Sequence, residues 1–287
     1  MINNKNLVKQ EKELFSQLKL NYTKSKADVW ATLEKTIAQD QTALKKKTVT
    51  NRLVWIKYAS AASIIIAIGL GLFARLYTTT IVASTGQSSE HILPDGSIVY
   101  LNAETSINYH PYWWNFNREV ELQGEAFFEV EKGETFSVVS EMAIVEVIGT
   151  SFNIYNRSNK FAVYCKTGRV AVRYKHSNEV MLTPEQYVSS NEETNTLQLR
   201  DDINTDQVMS WRLNKFLYNT TPITKVFEDF ERHYGIRIET EIENLEELHY
   251  TGLFMRDIGA QKALDIVSFT FELNVEKKRE NIYLVKH

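Results

Sequence analysis

From Tyr58 to Ala74 the chain reads YASAASIIIAIGLGLFA, without a charged side chain. As a helix this run spans about 26 Å, close to the thickness of a bilayer core. Lys57 and Arg75 bracket it and have stems long enough to carry their charges to water, and Trp55 and Tyr77 suit the aromatic belt at each interface. A core helix of a soluble domain has a similar composition. A cleaved signal peptide is a further reading, since Val82-Ala83-Ser84 loosely suits a cleavage site. More than fifty residues precede the run, however, and signal n-regions are short. Residues 55–77 are therefore read as one transmembrane helix.

Lys45, Lys46, Lys47, Arg52 and Lys57 crowd its N-terminal side, and only Arg75 lies close on the other. The positive-inside rule then places residues 1–54 in the cytoplasm and the longer C-terminal part in the periplasm, a single-pass inner-membrane topology. The formal net charge of -3 hides an asymmetry that agrees. Up to Lys57 there are twelve Lys and Arg against five Asp and Glu, so this part carries about +7 and the remainder about -10. The basic part is too punctuated by acids and too poor in aromatics for a nucleic-acid groove.

In the N-terminal segment, Leu7, Leu14, Phe15 and Leu18 recur at helical spacing. After Ser25, a candidate N-cap, Val29, Trp30, Leu33 and Ile37 form a second stripe. Two short helices bury little against each other, so the stripe is expected either to dock on a partner or to rest as a loose hairpin on the membrane surface. A tryptophan on a small amphipathic helix favours the partner.

Between Gln87 and Leu199 the period changes to two. The stretches Ile98–Leu101, Val120–Leu122, Phe128–Val130, Phe136–Val138, Val145–Val147, Phe152–Ile154 and Val170–Val172 alternate, and Gly124, Gly133, Gly149 and Gly168 punctuate them. Short strands at this spacing predict an all-β sandwich or a short coil of strands over residues 78–200. Asp95-Gly96 predicts a tight turn with positive φ, and Gly124 a bulge that re-aims Phe127 and Phe128. The single cysteine, Cys165, alternates with Phe161 and Val163 and is expected to be a buried strand residue. With one cysteine there is neither an intramolecular disulfide nor zinc-ligand spacing, and no metal or cofactor is expected. Glu125 and Glu129 have the look of an acid/base pair, but no nucleophile or histidine accompanies them, so catalysis is not expected.

Three blocks in this region carry a resemblance: LPDGSIVYLNAETSINYHP, REVELQGEAFFEVEKGETFSVVS and VEVIGTSFNIYNRSNKFAVYCKTGRVAV. Together, and in this order, they resemble the FecR domain of transmembrane anti-sigma factors over residues 87–175. The departures are small: Thr135 stands where the family often has proline, and Cys165 where it usually has an apolar residue.

The C-terminal part contains an internal repeat. Residues 216–238 and 253–275 align at an offset of about 37. Ile223, Val226, Phe227, Phe230 and Tyr234 pair with Ala260, Ala263, Leu264, Val267 and Phe271, and Ile236 and Ile238 with Leu273 and Val275. Each copy reads strand, amphipathic helix, strand, with Pro222 opening and Gly235 closing the first helix. Two βαβ units make a small α/β domain over residues 209–287, after a linker at 201–208. WRLNKFLYNTTPITKVFEDFERHYGIRI and YTGLFMRDIGAQKALDIVSFTFELNV resemble the C-terminal module that follows FecR domains in Bacteroidota, related to the short signalling domain of secretins and TonB-dependent transducers.

The expected chain is thus multi-domain: a helical cytoplasmic segment, one membrane helix, an all-β FecR domain and a small α/β module. The resemblance implies a regulator rather than an enzyme. Residues 1–54 would hold an extracytoplasmic-function sigma factor through Val29, Trp30, Leu33 and Ile37. The periplasmic part would sense the N-terminal signalling domain of an outer-membrane TonB-dependent transporter. Ile282, Tyr283 and Leu284 are expected to offer that partner an exposed strand edge. The resemblance also implies a cleavable bond, Gly149–Thr150, where the Thr150 hydroxyl would attack the Gly149 carbonyl in an N-to-O acyl shift. The rival readings are a membrane-anchored glycan- or protein-binding module, which leaves the Trp30 stripe without a purpose, and an envelope hydrolase, which lacks a catalytic set.

Overall fold

The computed structural model describes residues 4–17, 23–175, 179–191, 194, 196–200 and 204–287. They fall into two compact units, residues 1–70 and 71–287. The first is helical, with α1 (Asn4–Gln17) followed by α2 (Lys26–Leu76). Ser25 caps α2 reciprocally with Asp28. The Asp28 N–H donates to the serine hydroxyl oxygen at 3.2 Å, and the Asp28 carboxylate accepts from the serine N–H at 3.2 Å and from its hydroxyl at 2.8 Å.

The alternation of apolar stripes suggests a short helix separate from the membrane segment, and here the structure differs. The helix that starts at Lys26 is 51 residues long and runs through the apolar stretch without interruption. No proline occurs in it, and its first glycine is Gly69, so nothing between the Trp30 stripe and the apolar run removes a backbone hydrogen bond. Its segment Arg52–Leu76 is long and apolar enough to cross a membrane, and none of the apolar window there is buried inside the protein. A core helix of a soluble domain would hide that surface.

Among the described residues, thirteen strands of one sheet system follow. In chain order they are β1 (Thr79–Ala83), β2 (Ser89–Ile92), β3 (Ile98–Leu101), β4 (Thr105–Tyr109), β5 (Arg118–Glu129), β6 (Phe136–Val139), β7 (Ala143–Val147), β8 (Ser151–Arg157), β9 (Lys160–Thr167), β10 (Val170–Tyr174), β11 (Glu179–Leu182), β12 (Tyr187–Asn191) and β13 (Thr196–Arg200). They form two layers that share β5. Its first half pairs with β4 and, in parallel, with β6. Its second half pairs with β3 and β8. One layer then runs β1-β4-β5-β6-β7-β10-β11 and the other β2-β3-β5-β8-β9-β12-β13. Between them lies one apolar core, in which Phe128 stacks on Phe152 at 5.2 Å and Phe161 of one layer meets Tyr174 of the other at 5.9 Å. Cys165 is fully buried in it.

Gly124 is the residue at which β5 passes from one layer to the other. Its φ is +111°, and a Cβ there would stand 2.6 Å from Thr105 Oγ1 and 2.8 Å from Thr105 Cα. Only glycine fits this corner. The Asp95-Gly96 turn has φ +86° at the glycine. Asp95 accepts from the Ser97 N–H and hydroxyl at 3.0 and 2.9 Å, and it pairs with Arg118 at the start of β5.

The C-terminal part opens with α3 (Thr205–Met209), capped by Asn204, and a 3-10 turn at Ser210–Leu213. Residues 201–203 of the expected linker lie outside the described residues; from Thr205 the chain is helical. Then come β14 (Lys215–Pro222), α4 (Ile223–Tyr234), β15 (Arg237–Glu241), β16 (His249–Met255), α5 (Ala260–Phe269), β17 (Asn274–Arg279) and β18 (Ile282–Lys286). β14 and β16 pair antiparallel, with Phe216 opposite Phe254. β15 and β17 flank β18, β15 in parallel and β17 antiparallel. Pro222 is the N-cap of α4 rather than its first residue, and Gly235 ends the helix at φ +67°. Ile223, Val226, Phe230, Ala263, Leu264 and Val267 are fully buried in a second apolar core.

Candidate partner-binding and membrane surfaces

On α2, Trp30 is 58% exposed, and Leu33 and Ile37 are exposed beside it; Val29 is half-buried. Residues three and four apart share a face, so these four make one apolar stripe. Leu14 and Phe15 of α1 are also exposed, and Leu18 lies outside the described residues. Trp55, near the start of the apolar stretch, is exposed, and Lys57 and Arg75 occupy α2 on either side of the run. Tyr77 follows α2, and its N–H donates to the Phe73 carbonyl at 2.9 Å.

The expected edge at Ile282, Tyr283 and Leu284 is not an edge. These residues lie in β18, the middle strand of its sheet, hydrogen-bonded to β15 on one side and β17 on the other. Tyr283 is only 4% exposed and Leu284 is buried beside it. The last strand of a chain is not always the last strand of a sheet: here a parallel crossover inserts it between the second strands of the two repeats. Those two outer strands, β15 and β17, carry the free edges, and β17 is charged with Lys277, Lys278 and Arg279.

Gly149 and Thr150 join β7 to β8. Gly149 has φ +142°, and a Cβ on it would meet Lys132 Cγ at 2.7 Å. Such backbone is open essentially to glycine alone. Thr150 is 3% exposed, and its hydroxyl donates to the Arg169 carbonyl at 3.1 Å. Gly168 closes over the same spot, its virtual Cβ 2.6 Å from Thr150 Oγ1 and 3.1 Å from the Gly149 carbonyl oxygen.

A polar junction joins the sandwich to the C-terminal part. Trp211 Nε1 donates to Asn153 Oδ1 at 3.3 Å. Asn153 and Asn102 both donate to Glu125, at 3.2 and 2.8 Å, and Arg256 reaches Asn102 at 3.4 Å. Arg212 pairs with Glu129 at 3.0 Å and lies over Tyr100 and Phe127, 3.7 and 4.4 Å from the ring centres. Glu125 and Glu129 thus serve the junction separately, each with its own partners. Lys225 donates to Tyr155 Oη at 2.9 Å and to Asp229 at 2.8 Å, and Arg232 pairs with Asp229 at 2.8 Å. Burial opposes charge on Asp229, but Lys225 and Arg232 outweigh it and hold the carboxyl below its usual range. Burial likewise lowers Lys225, and Asp229 more than restores it. Sequence patterning misses this junction, because Trp211, Arg212 and Arg256 belong to no repeating stripe.

Two family models match, FecR protein over residues 79–171 and FecR, C-terminal over residues 215–284. The chain belongs to the FecR family. No curated protein matches it. Two crystal structures of a candidate anti-sigma factor from Parabacteroides distasonis, at 2.50 and 1.65 Å resolution, are similar to it at 27% identity. The first has a TM-score of 0.66 and covers 73% of this chain and 99% of its own; the second has 0.65, 72% and 98%. A FecR-family anti-sigma factor has a sigma factor as its partner, and this chain is accordingly a sigma regulator. The FecR match takes in the Gly124 corner and the Gly149–Thr150 bond, and the polar junction ties the FecR domain to the C-terminal FecR module.

Proposed function

We propose that this FecR-family chain crosses the inner membrane once. Residues 1–54 hold an extracytoplasmic-function sigma factor in the cytoplasm, and the FecR domain and C-terminal module read the signalling domain of a TonB-dependent transporter in the periplasm. The observation that carries this reading is α2: one uninterrupted helix bears the exposed Trp30 stripe and the unburied apolar segment Arg52–Leu76. A stripe left largely exposed among the described residues and an unburied span long enough to cross a bilayer are what a regulator working across a membrane requires. The transporter meets the C-terminal module at an outer strand, β15 or β17, since β18 is closed on both sides. Reporter fusions that are active only in the cytoplasm or only in the periplasm, joined before Trp55 and after Tyr77, test the topology. Capture of a sigma factor by residues 1–54, lost on Trp30→Ala, tests the partner. A chain lacking residues 209–287 that still responds to the inducing substrate would overturn the transporter contact.

A second reading rests on Gly149, whose φ of +142° is open essentially to glycine. We infer that the Gly149–Thr150 bond is the site of self-cleavage. The Thr150 oxygen attacks the Gly149 carbonyl carbon, the amide C–N bond breaks, the amine takes up the hydroxyl proton, and water hydrolyses the resulting ester. For this the hydroxyl must turn from the Arg169 carbonyl to its own peptide bond. The two fragments stay together, because β7 and β8 belong to one core. An immunoblot of a C-terminally tagged chain checks it: a single full-length band in both wild type and Thr150→Ala rules the cleavage out.

A further inference from the structure

The β4–β5 loop of the FecR domain carries aromatic side chains outward at the end of the domain where the chain leaves α2. β1 begins at Thr79, three residues after α2 ends, and pairs antiparallel with β4 so that Thr79 lies opposite Tyr109. Tyr109 is the last residue of β4, so the loop that follows must return to the end of the apolar helix. The contacts bear this out. The Tyr112 ring lies 5.9 Å from that of Phe73 and 5.3 Å from that of Tyr77, and Phe73 belongs to the uncharged run itself. The Arg75 guanidinium stands 5.8 Å from the centre of the Trp113 ring. His110 Nδ1 is 3.1 Å from the Tyr77 carbonyl oxygen.

The loop has two faces. Trp114 points inward and is buried, edge-on to Tyr109 at 5.5 Å and to Phe136 at 5.9 Å. It fixes the loop in the sandwich core. Tyr112, 61% exposed, and Phe116, 76% exposed, point outward, with half-buried Trp113 packed on Phe116 at 4.7 Å. From Pro111 to Asn117 there is no charged side chain. A rigidly held, uncharged cluster of Tyr, Trp and Phe beside an arginine has the composition of a membrane interface, where amphipathic rings sit at headgroup level and a cation meets lipid phosphate.

We propose that Tyr112, Trp113 and Phe116 form a membrane-docking surface that seats the FecR domain in the headgroup region of the leaflet it faces. The domain is then held to the bilayer at two points, the end of α2 and this loop, rather than swinging on a free tether. The proposal rests on the reading of Arg52–Leu76 as a membrane span. The ring contacts to Phe73 and Tyr77 favour lipid over a second protein, because a partner on Phe116 would have to fit against the bilayer surface.

The test uses the full chain in vesicles of phosphatidylethanolamine and phosphatidylglycerol, with a polarity-sensitive fluorophore on one introduced cysteine at a time. Cys165 is fully buried and stays unlabelled in the folded protein. Phe116→Cys is the probe, Leu72→Cys reports on the span, and Lys278→Cys is the exposed control on the C-terminal module. The expected result is a blue-shifted emission at position 116, quenching by a shallow nitroxide lipid, and loss of the iodide quenching seen at position 278. If position 72 is quenched by lipid while position 116 responds to iodide like position 278, the docking surface is overturned and the anchor stands. Protection from iodide at 116 without quenching by nitroxide lipid means that protein covers the loop, which also overturns it. If position 72 shows no lipid quenching, the anchor itself fails, and the docking surface with it.

Discussion

Trp30 and Trp114 are the same side chain in opposite circumstances. Trp30 stands exposed on α2 beside Leu33 and Ile37, whereas Trp114 is buried in the FecR domain against Tyr109 and Phe136. The helical region keeps apolar groups in the open along both its helices, and the sandwich hides its own between two layers. In the sandwich, then, apolar contacts set stability. On the helices they contribute little to folding and are available to a partner or to lipid.

The largest expected effect probes the buried side. Phe128→Ala removes a ring stacked on Phe152 and should destabilise the FecR domain by about 3–5 kcal/mol. Urea unfolding of the detergent-solubilised chain, followed by tryptophan fluorescence, checks it; a midpoint unmoved by the substitution would mean that this core is not what holds the sandwich. Gly124→Ala comes next, with a left-handed φ and a Cβ directed into Thr105, and should cost about 1–3 kcal/mol in the same titration. On the exposed side, Trp30→Ala should leave that unfolding curve where it is and weaken sigma-factor binding by about 2 kcal/mol. Calorimetry with residues 1–54 measures the binding, and equal affinity for both forms would erase the contrast between the two regions.

The smallest effect concerns the polar junction, which belongs to neither class. Asp229 is held below its usual range by Lys225 and Arg232, so as the pH falls the unfolded chain takes up its proton first. The stability this carboxylate contributes is fully present above the ordinary aspartate pKa, about 3.9, and is lost as the pH falls through the folded value. Asp229→Asn should therefore lower stability at neutral pH, where the ion pairs to Lys225 and Arg232 are lost, and flatten the acid limb of the stability profile. An acid limb identical in both proteins would mean that the junction stores no charge-dependent stability.

Much of the fold was legible because it depends on local rules. Alternation from Ile98 to Val172 marks strands whatever they pair with, and the spacing of Ile223, Val226, Phe227 and Phe230 marks a helix with one buried face. The turn at Asp95-Gly96 and the end of α4 at Gly235 follow from the conformational freedom of glycine. The candidate surfaces were legible only in part. The Trp30 stripe is a property of one helix and could be read along it. The strand Ile282–Leu284 could be recognised as a strand, but not as the middle of a sheet, because pairing order depends on a crossover between segments more than forty residues apart.

The sequence by itself determined where apolar surface occurs and with what period: a run without charge, stripes on helices, alternation in strands. A period is a relation between near neighbours, and backbone geometry alone converts it into a face. Only the tertiary structure decided which faces are covered. It closed β18 on both sides. It drew Glu125, Asn153 and Trp211 into one junction and returned Tyr112 to the end of α2, 35 residues after Tyr77. Each of these is a meeting of residues distant in sequence, set by strand register and by which apolar surfaces exclude water together, and no local pattern encodes such a meeting.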